Sequence, residues 1–231
     1  MKVLKHRRID KEFAFDETTN YCLCIENPKF FREFIHCIDA NPDEQEDLLL
    51  YDQNKQRKIS KEVFFIHDPR RITLDEKKLN LTIQKDLAAS VDAQENERFL
   101  LLRNEINEYL DSISYDYPLR LTYDSELGLS SFLKAFSVSY ESNNEDLLVE
   151  MIEKIKILSS IFNYQVFIIR NLADYLTQEE LNQFFQEMRR MEVAVLLLSS
   201  HLPNYDFDDK FVVRIDSDLC ELHLASENQK G

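Results

Sequence analysis

Glycine is nearly missing: the 231 residues contain two, Gly128 and the final Gly231. A P-loop needs glycines so that backbone N–H groups can close on phosphates, followed by Lys and Ser/Thr. That motif is therefore excluded, as is the G-x-S-x-G elbow of α/β-hydrolases. Long apolar runs are also lacking. The cleanest reach about six residues, too short to span a membrane as a helix. The basic start, MKVLKHRRIDK, has no apolar stretch of the kind a secretory signal needs, so a cytoplasmic location and no membrane partner are expected. The four cysteines (Cys22, Cys24, Cys37, Cys220) form no C-x-x-C pair and lie in apolar segments, as reduced core residues do.

Acids outnumber bases by 43 to 28, a net charge of −15. Taken alone, that argues against nucleic acid. The distribution is uneven, however. Lys2, Lys5, Arg7, Arg8 and Lys11 crowd the first eleven residues, and QNKQRKISK (53–61) holds Lys55, Arg57, Lys58 and Lys61 with no acid. Acids gather elsewhere, as in DANPDEQED (39–47). A segregated basic face lets an acidic protein bind DNA, although a solvated charged surface explains the same composition.

The hydrophobic pattern predicts an α/β protein. KVLKHR, EFAFD and YCLCIE read as strands. NPKFFREFIHCIDA reads as a helix capped by Asn27, with Pro28 at its first position and Phe31, Phe34, Ile35 and Ile38 on one stripe. LLLYD (48–52) and VFFIHD (63–68) read as strands. From the capping box TLDE (73–76), helical spacing continues through Leu79, Ile83, Leu87, Val91, Leu102, Ile106, Tyr109 and Ile113. Such a stretch is too long for an ordinary helix, so a bent or partnered leg is expected. TYDSELG and its neighbours interrupt it, a short helix follows at 129–137, and SNNE (142–145) opens another to about 162. VFIIRN, a helix boxed by Thr177 and Glu180, and VAVLLLSS then form a strand–helix–strand unit of a parallel sheet. KFVVRI and LCELHL are the closing strands, before a tail, ASENQKG, expected to be disordered. The pattern divides the chain into an α/β head (1–69 and 163–231) and an inserted helical leg (70–162).

Catalytic readings find little. In nucleotide hydrolases a buried strand ends in a magnesium-binding carboxylate; here VFIIRN ends in Asn171, with Asp174 three residues on. His67 and Asp68 form an H-D pair without further ligands in view. Asp206, Asp208 and Asp209 would serve a metal-dependent nuclease or simply a solvated loop. In TYDSELG (122–128), Asp124 and Glu126 alternate with Thr122 and Ser125, hard oxygen donors that suit calcium. A helix start capped by Ser125 or Asp124 explains the same residues.

Three stretches, LLLYDQNKQRKISKEVFFIHD, LRLTYDSELGLSSFLKAFSV and VFIIRNLADYLTQEEL, are similar in pattern and order to the small adaptation protein family of type II-A CRISPR systems. The resemblance runs from about Leu23 to Leu222. It implies an α/β head with a degenerate NTPase-like core, no hydrolytic activity and an inserted helical leg. It further implies a homotetrameric ring with a lysine-lined hole that threads onto double-stranded DNA ends. As partners it implies the RNA-guided nuclease and the spacer-integrase pair. Carried over residue by residue, the hole-lining role falls on Lys55, Arg57, Lys58 and Lys134, with Lys61 beside them. The implied calcium near the head–leg junction falls on Asp124. Thr122 and Ser131 stand where relatives have acids, and Glu126 substitutes if the loop shifts by one residue. A metal-dependent nuclease and a protein-only scaffold of the adaptation complex are the alternative functions.

Overall fold

The structure is a computed structural model and describes residues 1–16, 20–40, 42–44, 46–141, 146–202 and 210–224. In chain order the elements are β1 (Lys2–His6), β2 (Phe13–Phe15), β3 (Asn20–Ile25), α1 (Pro28–Asp39), β4 (Leu48–Asp52), β5 (Lys55–Arg57), α2 (Ile59–Glu62) and β6 (Val63–Ile66). They continue with α3 (Glu76–Ser90), α4 (Ala93–Ser114), α5 (Leu129–Ala135), α6 (Leu147–Ser160) and β7 (Val166–Arg170). A 3-10 turn (Leu172–Asp174), α7 (Gln178–Arg190), β8 (Ala194–Ser199), β9 (Lys210–Ile215) and β10 (Glu221–Leu224) close the chain.

Two compact units result: Met1–Thr73 with Asn144–Gly231, and Leu74–Asn143. The first is mixed α/β. Its larger sheet runs β10-β9-β3-β8-β7-β6. The five strands from β9 to β6 are parallel, and β10 is antiparallel at one edge. β3 and β8 are buried at every position, as parallel strands covered on both faces are. Side chains alternate, so the two faces find different cover. Tyr21, Leu23, Ile25, Val166, Ile168, Leu196 and Leu198 join one core with Phe30, Phe31 and Phe34 of α1. The same core takes in Leu4, Phe13, Phe15, Leu48 and Leu50 of a second sheet, antiparallel, in the order β2-β1-β4-β5. Phe167, Ile169, Val195 and Leu197 are buried at the alternate positions. α7 packs on β8 and α6 packs on α7.

The leg expected over 70–162 is placed differently. α6 belongs to the first unit, so the boundary expected at 162 falls at 143. The reason is its apolar face: Leu148, Met151, Ile155 and Leu158 are buried in a helix that packs on α7. Asp146 caps α6 by accepting from the Val149 N–H; the SNNE segment expected to do so lies outside the described residues, as does the tail. The long helix expected from Thr73 is two helices. Val91 and Asp92 take extended conformations between them, and Asp92 caps α4 through the Glu95 N–H. Asp75, not Thr73, caps α3. Within the second unit Leu79 and Phe99 are the buried apolar side chains of α3 and α4. Leu87, Leu102, Ile106, Tyr109 and Ile113 of the expected stripe are exposed.

His6 ties β1 to α1. It is 4% exposed, and its ring lies 5.4 and 5.2 Å from the Phe30 and Phe34 rings. The Arg8 N–H donates to its Nδ1 at 3.2 Å, which requires the neutral ring. Burial, reinforced by Arg8 and Arg7 and opposed by Asp47, lowers its pKa from 6.5 to about 4. The unfolded chain therefore takes up a proton near pH 6.5 that the folded chain refuses until about pH 4. Stability should fall as the pH drops through that window, by at most about 3 kcal/mol from this group. Urea unfolding from pH 7 to 4 should show this slope, and His6→Phe should flatten it. An equal slope in both proteins would mean that other groups dominate.

Candidate nucleic-acid interface

β4 and β5 are joined by the two-residue turn Gln53–Asn54, with φ of 48° and 64°. Two left-handed residues make the I′ geometry that matches strand twist, and Asn favours it. The hairpin pairs Asp52 with Lys55 and leaves β5 as an edge strand with all three side chains exposed. Lys58 follows at the start of α2, which is anchored by buried Ile59. Lys55, Arg57, Lys58 and Lys61 are thus held on one short strand–helix segment, all exposed.

Their electrostatic situations differ. The Arg57 guanidinium lies 3.2 Å from Asp52 and 3.9 Å from Glu62. Glu62 also accepts from Lys2, and the N-terminal amine lies 3.7 Å from Asp52. Lys55, Lys58 and Lys61 make no ion pair among the described residues. The basic N-terminus is the opposite case: Lys5 pairs with Glu12, Arg7 with Asp47, and Arg8 with Glu33. The spare positive charge of these two segments is therefore concentrated at 55–61. Lys134, on α5 of the second unit, is exposed and likewise unpaired among the described residues. Asp52 and Glu62 were not singled out by the sequence reading. Pairing across the hairpin is the signal that leads to Asp52; nothing in chain order pointed to Lys2 and Arg57 sharing Glu62.

The acidic loop is held within the second unit. Asn107 Nδ2 donates to the Ser125 carbonyl at 2.9 Å, and the Tyr123 hydroxyl to Asp111 at 2.7 Å. That hydrogen bond raises the Tyr123 pKa. The Glu126 N–H donates to Asp124 Oδ1 at 3.0 Å. Gly128, rather than Ser125 or Asp124, is the cap residue of α5. Asp124 and Glu126 are exposed, and among the described residues no three His, Cys, Asp or Glu side chains assemble as a metal cluster. Calcium takes six to eight oxygens. Two carboxylates are right in kind and do not complete the set, so no step below passes through a metal.

The strand ends show why nucleotide chemistry has no foothold at the first junction. In a P-loop protein a strand leads through glycines into a helix whose free N–H groups hold phosphate. Here β3 leads into α1 through Glu26 and Asn27. Asn27 Oδ1 accepts from the Lys29 and Phe30 N–H groups at 3.1 and 3.0 Å, and its Nδ2 donates to the Ser217 carbonyl at 2.9 Å. Glu26 receives both arms of Arg214, at 2.7 and 3.1 Å. The helix thus spends two phosphate donors on its own cap. β7 ends at Arg170, stacked 5.6 Å from Phe31, and left-handed Asn171; Asp174 meets His201 at 3.2 Å. His67 and Asp68 turn to separate partners, Asp39 at 2.9 Å and Arg70 at 2.9 Å. Asp206, Asp208 and Asp209 lie outside the described residues.

These features define an α/β protein with a parallel sheet and a P-loop-like strand–helix junction that lacks its glycines. The family model described as CRISPR-associated protein (Cas_Csn2) matches residues 41–219. The chain belongs to that family. No curated protein matches it. Among solved structures it is similar to a putative ABC transporter (ATP-binding protein) from Pyrococcus furiosus. The two share 10% identity at a TM-score of 0.42, over 92% of this chain and 97% of that one.

Removing the Asn27 cap exposes two N–H groups and one carbonyl. Asn27→Ala should cost roughly 1–2 kcal/mol in urea unfolding. Asn27→Asp, which keeps the acceptor, should lose less. Equal losses would place the energy in the Ser217 contact instead.

Proposed function

We propose that the protein binds double-stranded DNA ends without sequence preference, as a homotetrameric ring, and supports CRISPR spacer acquisition without catalysing a reaction. The observation that carries the reading is the run of exposed cations at 55–61, three of them unpaired among the described residues, on a protein of net charge −15. Lysines on an edge strand meet phosphates as point charges and read no base, so affinity is sequence-independent and steeply salt-dependent. Family membership supports the adaptation role. It also brings in the RNA-guided nuclease and the spacer-integrase pair as partners, and calcium at Asp124 and Glu126 with waters and carbonyls completing the shell.

Self-assembly has separate support. Leu102, Ile106, Tyr109 and Ile113 are spaced three or four apart along α4 and stay exposed, Tyr109 at 65%. A stripe of that kind on a short-cored unit calls for a protein partner. An acidic protein also gains from a ring, which keeps its few spare cations inward and its acids outward. The absence of catalysis draws its support from the Asn27 cap and the missing glycine loop.

Changing Lys55, Lys58 and Lys61 together to Glu should abolish duplex binding and leave the unfolding curve within about 1 kcal/mol of the parent. Milder replacement by Gln should flatten the log K against log salt plot by about three units. Undiminished affinity of the Glu variant would remove the site. A mobility-shift comparison tests the ring: linear duplex should bind and a covalently closed circle of the same sequence should not. Equal binding would leave a basic patch without a closed ring. Binding to neither form at low salt would favour a protein-only scaffold.

A further inference from the structure

Beside the basic strand lies a cavity of about 640 Å³, within the range of small-ligand sites. Its lining carries both signs of charge. Arg57 and Lys58 contribute from β5 and the start of α2, and Asp43 and Glu44 from the segment before β4. Leu49 and Ile59 supply apolar surface, and Gln56 offers an amide without a hydrogen-bond partner among the described residues. The acidic part is held in place: the Ser60 N–H donates to Asp43 Oδ1 at 3.2 Å, and the Ser60 hydroxyl donates to Asp43 Oδ2. Arg57 is fixed by Asp52 and Glu62, which leaves Lys58 as the uncommitted cation.

A site that only gripped the DNA backbone has no use for carboxylates, because phosphates repel them. A nucleotide at a strand terminus is different. It bears a phosphodiester on one side and a free 3′-hydroxyl on the other, and a hydroxyl donates a strong hydrogen bond to a carboxylate. We propose that this cavity binds a nucleotide with a 5′-phosphate and a free 3′-hydroxyl, the phosphate at Lys58 and Arg57 and the hydroxyl at Glu44 or Asp43. This rests on the DNA reading above and adds to it a site for the end itself. An internal nucleotide fails there, since its second phosphate would face the two acids.

Two sources offer this chemistry, a DNA strand end and a free mononucleotide. The test uses the full chain and blunt duplexes of one sequence, ending either in 3′-hydroxyls or in 3′-phosphates. The hydroxyl duplex should bind at least about tenfold tighter, the scale of one charge-assisted hydrogen bond lost and a repulsion gained. Glu44→Lys should reverse the preference, a gain that misfolding does not imitate. Saturable binding of deoxyadenosine 5′-monophosphate, without end discrimination, would assign the site to free nucleotides and overturn the strand end as ligand. No discrimination and no mononucleotide binding would overturn the cavity's role altogether. Loss of the DNA reading shows separately, as failure of both duplexes to bind at low salt.

Discussion

A parallel sheet buried on both faces is the constraint from which the rest follows. β3, β8 and β7 carry apolar side chains on alternate sides, so neither face can be left to water. One face takes α1 and the small antiparallel sheet; the other side of the unit takes α6 and α7, which explains why α6 leaves the helical insertion for the head. The antiparallel sheet has a second consequence. Its inner residues, Leu4, Leu48 and Leu50, are fixed in the core, so its outer edge is fixed as well. β5 and its cations therefore sit on a rigid support, and preorganised charge costs less ordering on binding than charge on a loose loop.

Charge is allotted position by position. A −15 protein with no spare cations would repel DNA, and most of its N-terminal bases are indeed neutralised by neighbours. These are partly exposed pairs, each worth about 1 kcal/mol or less, so their effect on stability is small. Their effect on potential is larger, because they confine the free positive charge of these segments to 55–61. Position along the chain does not reveal this; two equally basic segments come apart only when their partners are known.

What the sequence disclosed follows from how local the signal was. Asn27-Pro28 and Thr177-x-x-Glu180 announced α1 and α7 because a cap is a contact within four residues. The absent glycine loop was legible for the same reason. The break at Val91–Asp92 was hidden, since apolar residues kept helical spacing across it and no Pro or Gly marked it. The cap of α5 was misplaced because TYDSELG contains three good capping residues and the chain uses Gly128. Glu62, Asp43 and Asp52 gained meaning only from the pairings that bring them beside Arg57, Lys2 and Ser60.

The division of labour between Arg57 and its lysine neighbours has a physical rationale. A guanidinium offers five donors in a plane, so Arg57 can lie against Asp52 and Glu62 and still present N–H groups outward. It braces the hairpin whether or not a ligand is present. An ammonium is a strongly hydrated point charge on a flexible stem, suited to follow phosphates that slide past. Lys55 and Lys58 flank Arg57 on the same segment and are free to do so. One fixed and several mobile cations give retention without register, which is what a protein that moves along duplex DNA requires. A row of three braced arginines would instead hold each phosphate in a set geometry and slow that motion.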